Sequence, residues 1–210
     1  MTEAVQIKIE DQELKEFECR LGATANALPK VVSRGINRTA DQGRTLISRR
    51  LREQMKLRDR DIKARLTIAP RATYGRWLSR INIGTGGIPV LGFGARQTAA
   101  GVTWAPPLAM GLRALIPHAF KATMPSGHTG IFIREEKGKD RHPRRIRVGE
   151  ISELAELVKR SPILAVIGPS LAEAYFNVGG LAASCEKEVA GKLIPNINDQ
   201  IYLILAGKRT

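Results

Sequence analysis

The sequence predicts an α+β fold: a long N-terminal helix packed on a small, mainly antiparallel β-sheet, with C-terminal helices. Three observations predict it. Leu28, Val32, Ile36, Ala40, Ile47, Leu51 and Met55 recur at steps of four and seven, which puts them on one face of a helix. From Leu66 to Arg134, short apolar runs alternate with Gly and Pro, the pattern of strands joined by turns. Helical spacing then returns from Gly149 onward.

The elements follow in order. Val5-Gln6-Ile7-Lys8-Ile9 alternates and predicts a short strand or extended lead. Asp11 to Leu21 predicts a short helix capped by Asp11 and ended by Gly22. The long helix spans about Ala27 to Met55 and is roughly 40 Å long at about 1.5 Å per residue. Pro29 sits in its first turn, where proline is tolerated. Gly35 and Gly43 each weaken it by about 1 kcal/mol relative to Ala, which predicts close approach of another backbone. Asp59 caps a second short helix ending near Arg65. Strands are predicted at Leu66–Ala69, Tyr74–Ile83, Ile88–Phe93, Gly101–Trp104 and Gly130–Arg134, with a strand or helical turn within Ala114–Lys121. Residues 106–114 read as a loop, and Glu135 to Arg147, almost without apolar residues, as an exposed one. Helices are predicted at Gly149–Arg160, Leu171–Phe176, Leu181–Leu193 and Asn196–Ala206.

Charge is polarised. Residues 21–149 hold 25 Lys/Arg against 7 Asp/Glu, whereas residues 1–20 hold 3 against 6 and residues 150–200 hold 4 against 7. A basic middle between acidic ends implies an anionic partner, either nucleic acid or an acidic protein surface. Two groups supply the cations: Arg34, Arg38, Arg44, Arg49, Arg50 and Arg52 on the long helix, then Lys137, Lys139, Arg141, Arg144, Arg145 and Arg147. Aromatics make up only 5% of the chain and do not interleave with these residues, which argues against base stacking. DNA contact would run through the backbone without sequence readout.

Little in the sequence reads as chemistry. His118, His128 and His142 lie in separate contexts without metal-ligand spacing. Ser126-Gly127-His128 places a hydroxyl beside an imidazole, but neighbours in sequence rarely form a nucleophile–base pair, so a loop histidine is the expected role. Gly92-Phe93-Gly94 lacks the third glycine and following helix of a dinucleotide loop. Asp59 and Asp61 are accounted for by capping and the helix dipole. Cys19 and Cys185 are expected to be buried free thiols. No apolar run reaches the roughly 20 residues of a membrane span, and the first ten residues lack a signal-peptide core. The sequence thus predicts no catalytic residue, no cofactor and no metal.

Four spaced segments carry a resemblance. Ile36-Asn37-Arg38-Thr39-Ala40 matches a helical "LNRTA" segment with Ile36 for Leu. Residues 88–98, including Pro89, Phe93, Arg96 and Gln97, match "IPL-x-x-F-x-ARQT". Ala119 to Met124, followed by Gly127-His128-Thr129-Gly130 and on to Arg134, matches an "AF-x-A-x-M…GH-x-G-x-F-x-R" hairpin. Gly168-Pro169-Ser170 matches the motif that opens a C-terminal helix. In this order the set resembles the minor tail protein Z family of tailed bacteriophages, also described as tail completion proteins. One departure is an insertion of a basic loop and helix at about 135–160, between the hairpin and Gly168.

The resemblance implies an N-terminal arm (1–24), a tail-completion-like domain (25–180) and a C-terminal helical tail (181–210). It also implies a structural virion protein of the neck, assembled in the host cytoplasm. Such a protein forms a sixfold ring at the head-proximal end of the tail, joins tail to head and lets DNA pass. Its partners would be its own copies, the tail terminator, the tail tube and head-completion proteins, with transient DNA contact. The alternative reading is a stand-alone DNA-binding protein without sequence specificity. Within the long helix, Asn37 and Arg38 are expected to point off the apolar face, while Thr39 and Ala40 stay small for packing.

Overall fold

A computed structural model describes residues 3–107, 112–134, 145–147, 163–177 and 179–207. In chain order the elements are β1 (Glu3–Lys8), α1 (Asp11–Leu21), α2 (Leu28–Met55), α3 (Asp59–Lys63), β2 (Leu66–Ile68), β3 (Leu78–Ile83), β4 (Arg96–Thr98), β5 (Gly101–Trp104), β6 (Ala114–Pro117), β7 (Phe120–Thr123), β8 (Thr129–Arg134), β9 (Arg145–Arg147), β10 (Ile163–Ile167), α4 (Leu171–Asn177) and α5 (Leu181–Leu205). The fold is α+β as predicted. Among the described residues the strands form three small sheets rather than one, and all pair antiparallel except β9 with β10.

The chain divides into two compact units. The first comprises Met1–Arg50, Arg60–Gly84 and Tyr175–Thr210. Its sheet has the order β1-β3-β2, with Val5 opposite Ile81 and Leu66 opposite Ile83. Val5, Ile7, Ile81, Ile83 and Leu66 are all buried, so alternation along each strand turns one face to the core. Val31, Val32, Ile36, Ala40 and Ile47 of α2 are fully buried against it. Each large aliphatic side chain so buried contributes about 1.5–3 kcal/mol. Both helical glycines are at close approaches. A Cβ on Gly35 would run into Ile197 of α5, whose Cα would lie 3.1 Å away, and one on Gly43 would lie 2.9 Å from Ile81 and 3.1 Å from Val189.

Three details of this unit differ from expectation. Helix α1 is capped by Glu10 rather than Asp11, with the Glu13 carboxylate accepting the Glu10 N–H at 3.2 Å. Cys19 is exposed, and only Cys185 is buried. The two predicted C-terminal helices are one helix, α5, which passes through Pro195. Proline removes one hydrogen bond to the preceding turn. The buried stripe Leu181, Cys185, Val189, Leu193, Ile197 and Ile201 nonetheless continues across it, and that packing holds the helix together.

The second unit comprises Leu51–Asp59 and Thr85–Ala174. It contains the sheets β4-β5-β6 and β7-β8-β10-β9. Val102, Trp104, Ile116, Ile131, Ile133, Leu164 and Val166 are buried. The strand predicted at Ile88–Phe93 is instead a 3-10 turn over Val90–Phe93, ended by Gly94 in the left-handed region (φ 66°). Pro89 cannot donate to a ladder; it makes only an isolated bridge to Ile167, and its carbonyl accepts the Gly92 N–H at 2.9 Å within the turn. Strand β10 has no predicted counterpart, because Ile163-Leu164-Ala165-Val166-Ile167 is an unbroken apolar run without period-two alternation. Arg145–Arg147, expected in an exposed loop, pairs with β10 as β9. The helix predicted at Gly149–Arg160 lies outside the described residues.

Candidate interaction surface

The charged face of α2 is largely occupied by bonds within the first unit. Arg38 pairs with Asp199 at 3.2 Å and Arg50 with Glu188 at 3.9 Å. Arg44 donates to the Lys63 carbonyl at 3.1 Å. Asp41 accepts two bonds from Arg71, at 2.8 and 3.2 Å, and that hydrogen bonding raises the guanidinium pKa above its ordinary value. These side chains are about half exposed, so each pair is worth at most about 1 kcal/mol. What the pairs do is neutralise cations that stay at the surface. At about 100° per residue, Arg44 and Arg50 stand roughly 120° to either side of Arg38 rather than in line with it. Among the described residues no hydrogen bond or ion pair engages the side chain of Arg49 or Arg52, and both residues are exposed. Arg49, Arg34, Arg38 and Lys192 line an open groove of about 660 Å³, together with Asp41 and Glu188. The groove is therefore of mixed charge and is not a continuous phosphate track. Lys139, Arg141 and Arg144 lie outside the described residues, and Arg145 is described only as backbone of β9.

The four recognised segments fix backbone. Asn37, expected to point off the apolar face, lines the groove beside Arg38 and binds Ala72 at two points. Its Nδ2 donates to the Ala72 carbonyl and its Oδ1 accepts the Ala72 N–H, each at 2.9 Å. A carboxamide offers a donor and an acceptor side by side at any pH, as a neighbouring strand would. Thr39 is fully buried; its hydroxyl donates to the Gly35 carbonyl at 2.9 Å and accepts from Asn196 Nδ2 at 2.9 Å. Asn196 also donates to Gln42 Oε1 at 3.0 Å, so a small polar network joins α2 to α5. Arg38, as expected, points outward.

In the second unit two separated segments join directly. The Gly168 N–H donates to the Ile88 carbonyl at 2.7 Å, and the Ile88 N–H to the Pro169 carbonyl at 3.3 Å. The buried Phe93 ring packs edge-on to Trp104, with centroids 5.6 Å apart. It also lies over Gly168, where a Cβ would fall 2.8 Å from Phe93 Cε2, so glycine is required there by contact. Ser170 opens α4 through a reciprocal capping box: its N–H donates to Glu173 Oε2 at 2.8 Å, and its Oγ accepts the Glu173 N–H at 3.1 Å. Gln97 reaches from β4 to β7, accepting the Lys121 N–H at 2.7 Å and donating to the Ala119 carbonyl at 3.4 Å. Gly127 takes φ 80° in the β7–β8 turn. The exposed His128 accepts the Met124 N–H through its carbonyl at 2.9 Å and sets its ring edge-on to Phe132. Arg96 is exposed on β4.

Several partners in these arrangements escaped the sequence reading: Ala72, Asn196, Asp199 and Glu188. Ala72 contributes only backbone, which carries no residue-type signal. The acids lie more than a hundred residues from the arginines they meet. Among the described residues no group of three or more His, Cys, Asp or Glu could hold a metal ion. Burial raises the pKa of the Cys185 thiol and of the Tyr175 hydroxyl, which favours their neutral forms.

The family model of prophage minor tail protein Z (GPZ) matches residues 20–205. The chain belongs to this family. Neither a curated protein nor a solved structure matches it. The match makes the chain a minor tail protein, a structural component of the phage tail located in the virion. It spans all four recognised segments and reaches the end of α5. Among the described residues no helix is long and apolar enough to cross a membrane.

Proposed function

We propose that this minor tail protein is a subunit of the neck or tail-completion region. It forms a ring, sixfold as the family resemblance implies, at the head-proximal end of the tail. The ring joins tail to head and leaves a passage for DNA. It assembles in the host cytoplasm with its own copies, the tail terminator, the tail tube and head-completion proteins. Its role is assembly rather than catalysis, without cofactor. The observation that carries this reading is the use made of the family's own residues. Asn37, Thr39, Gln97, Gly168 and Ser170 all serve to hold backbone segments together. A rigid scaffold with two unlike patches is what a ring subunit requires, because its interfaces are heterologous.

The charge map supplies such patches, with the acidic ends of one copy facing the basic middle of the next. On α2, Arg49 and Arg52 are the cations left for that encounter, since Arg38, Arg44 and Arg50 are held internally. Lys139, Arg141, Arg144 and Arg145 belong to the same basic middle. Electron microscopy of the purified protein and of intact particles tests the reading. Rings at the tail top are the expected result. A polypeptide found away from the head–tail junction, or one that stays monomeric on DNA and never forms rings, would reject it. Replacing Arg49 and Arg52 by Ser should impair tail joining while the monomer stays folded, and unchanged infectivity would remove these two residues from the interface.

A further inference from the structure

We infer that a cleft in the second unit, rather than the face of α2, is where this protein holds a phosphodiester of nucleic acid. The cleft has a volume of about 380 Å³ and is lined by Met55, Lys56, Phe93, Gly94, Ala95, Arg96, Ala105 and Arg113. Three of these residues are cations and none is a carboxylate. The groove on α2 offers a direct contrast, since Asp41 and Glu188 stand among its cations. Field from like charges converging on one concavity adds, whereas field from paired charges cancels within a Debye length.

The backbone places the cations on both sides of the cleft. Lys56 follows the last residue of α2 with φ 52°, the left-handed conformation that usually selects glycine. Its N–H closes the helix on the Arg52 carbonyl at 3.0 Å. A side chain is thus retained where a bare turn would be easier. Arg113 is held on the other side: its Nη2 donates to the Gly94 carbonyl at 2.8 Å and to the Thr103 carbonyl at 2.9 Å. Arg96 is exposed on β4, and among the described residues no hydrogen bond or ion pair engages it or Lys56 through the side chain. Between them the backbone passes from the 3-10 turn into left-handed Gly94 (φ 66°, ψ 37°). That turn carries Ala95 and Arg96 past the Gly94 carbonyl on which Arg113 is anchored.

Ligand chemistry follows from what the cleft can and cannot do. Arg113 has already committed its Nη2 to two carbonyls, so it cannot present the free two-pronged fork that best recognises a carboxylate. A phosphodiester, with oxygens facing several directions, is served by single contacts from separate cations. The one aromatic in the lining, Phe93, is buried, so there is no platform on which a base could stack. Contact is therefore to the backbone and independent of sequence.

The inference does not depend on ring formation and is read on the full chain. The variant is Lys56→Gly with Arg96→Gln. Glycine suits the left-handed position, and Arg96 makes no side-chain bond among the described residues, so both changes spare the fold. Arg113 is left intact because it ties β5 to the turn. Binding to a short labelled DNA duplex is followed by fluorescence anisotropy across salt concentrations, with circular dichroism to verify folding. The unmodified chain should bind duplexes of unrelated sequence equally. The double variant should bind roughly tenfold or more weakly at about 0.1 M salt, with the slope of log Kd against log salt reduced by about 2. Unchanged affinity and slope in the folded variant would overturn the assignment. So would binding of inorganic phosphate without binding of duplex. Preferential binding of a peptide spanning acidic residues 8–21, or lost self-association at unchanged DNA affinity, would make the cleft a contact between copies and overturn it equally.

Discussion

Replacing Asn37 by Ala removes both bonds to Ala72 and leaves a buried N–H and a buried carbonyl without partners. Ala72 is 6% exposed, but Asn37 lines the open groove, so water takes up part of what the carboxamide leaves. Each bond is 2.9 Å long, and leaving such a group unpaired costs about 1–3 kcal/mol. The two together would cost about 2–6 kcal/mol if left dry; water entering from the groove offsets part of this, so the predicted loss is about 2–4 kcal/mol, or roughly 5–15 °C in Tm for a chain of this size. Urea denaturation gives the global value, and hydrogen exchange at the Ala72 amide gives the local one. Asn37→Asp sharpens the test. One carboxylate oxygen can still accept the Ala72 N–H, but the other faces the Ala72 carbonyl, and only the protonated acid can donate to it. The folded state therefore raises this carboxyl pKa above its unfolded value. Stability is fully present below the unfolded pKa and is lost as pH rises through the folded one, so the Asp variant should gain stability on acidification relative to the Ala variant. A loss below about 0.5 kcal/mol for Asn37→Ala, with unchanged protection at Ala72, would refute the two-point attachment.

Two glycines should respond with opposite sign. Gly35→Ala drives a Cβ into Ile197 and is expected to destabilise by about 1–3 kcal/mol despite its better helix propensity. Gly191→Ala on α5 meets nothing within 4 Å and should stabilise by roughly 0.5–1 kcal/mol, both read by urea midpoints. Ser170→Ala removes the Glu173 N–H acceptor at the start of α4 and should cost about 1 kcal/mol, while Ser170→Asp retains most of it. Alkaline pH should weaken the fold: the pKa values of Cys185 and Tyr175 are raised by burial, so the unfolded chain releases these protons first. Stability is full below the unfolded thiol pKa and falls as pH rises through the folded one; a Cys185→Ala variant should show a shallower decline. Thiol labelling at neutral pH should modify Cys19 quickly and Cys185 only on unfolding.

Local pattern was enough for much of this protein. The apolar steps from Leu28 to Met55 specified α2 to within one residue, because a buried helical face imposes its period on the sequence. Gly101–Trp104 and Thr129–Arg134 were legible as strands from alternation and flanking turns. The order of four short segments was enough to place the chain in its family. Tertiary structure decided what periodicity cannot encode. An apolar run such as Ile163–Ile167 has no alternation, so its pairing with β8 and β9 is set by neighbours. Pro195 reads as a break until the buried stripe on either side is seen to continue. The charged residues changed meaning most. A row of arginines on paper became a set of ion pairs, because Asp199 and Glu188 arrive from a distant helix. The cleft that unites Lys56, Arg96 and Arg113 draws on three separate stretches of chain. Composition counts charges, but only folding determines which of them face a partner and which face one another.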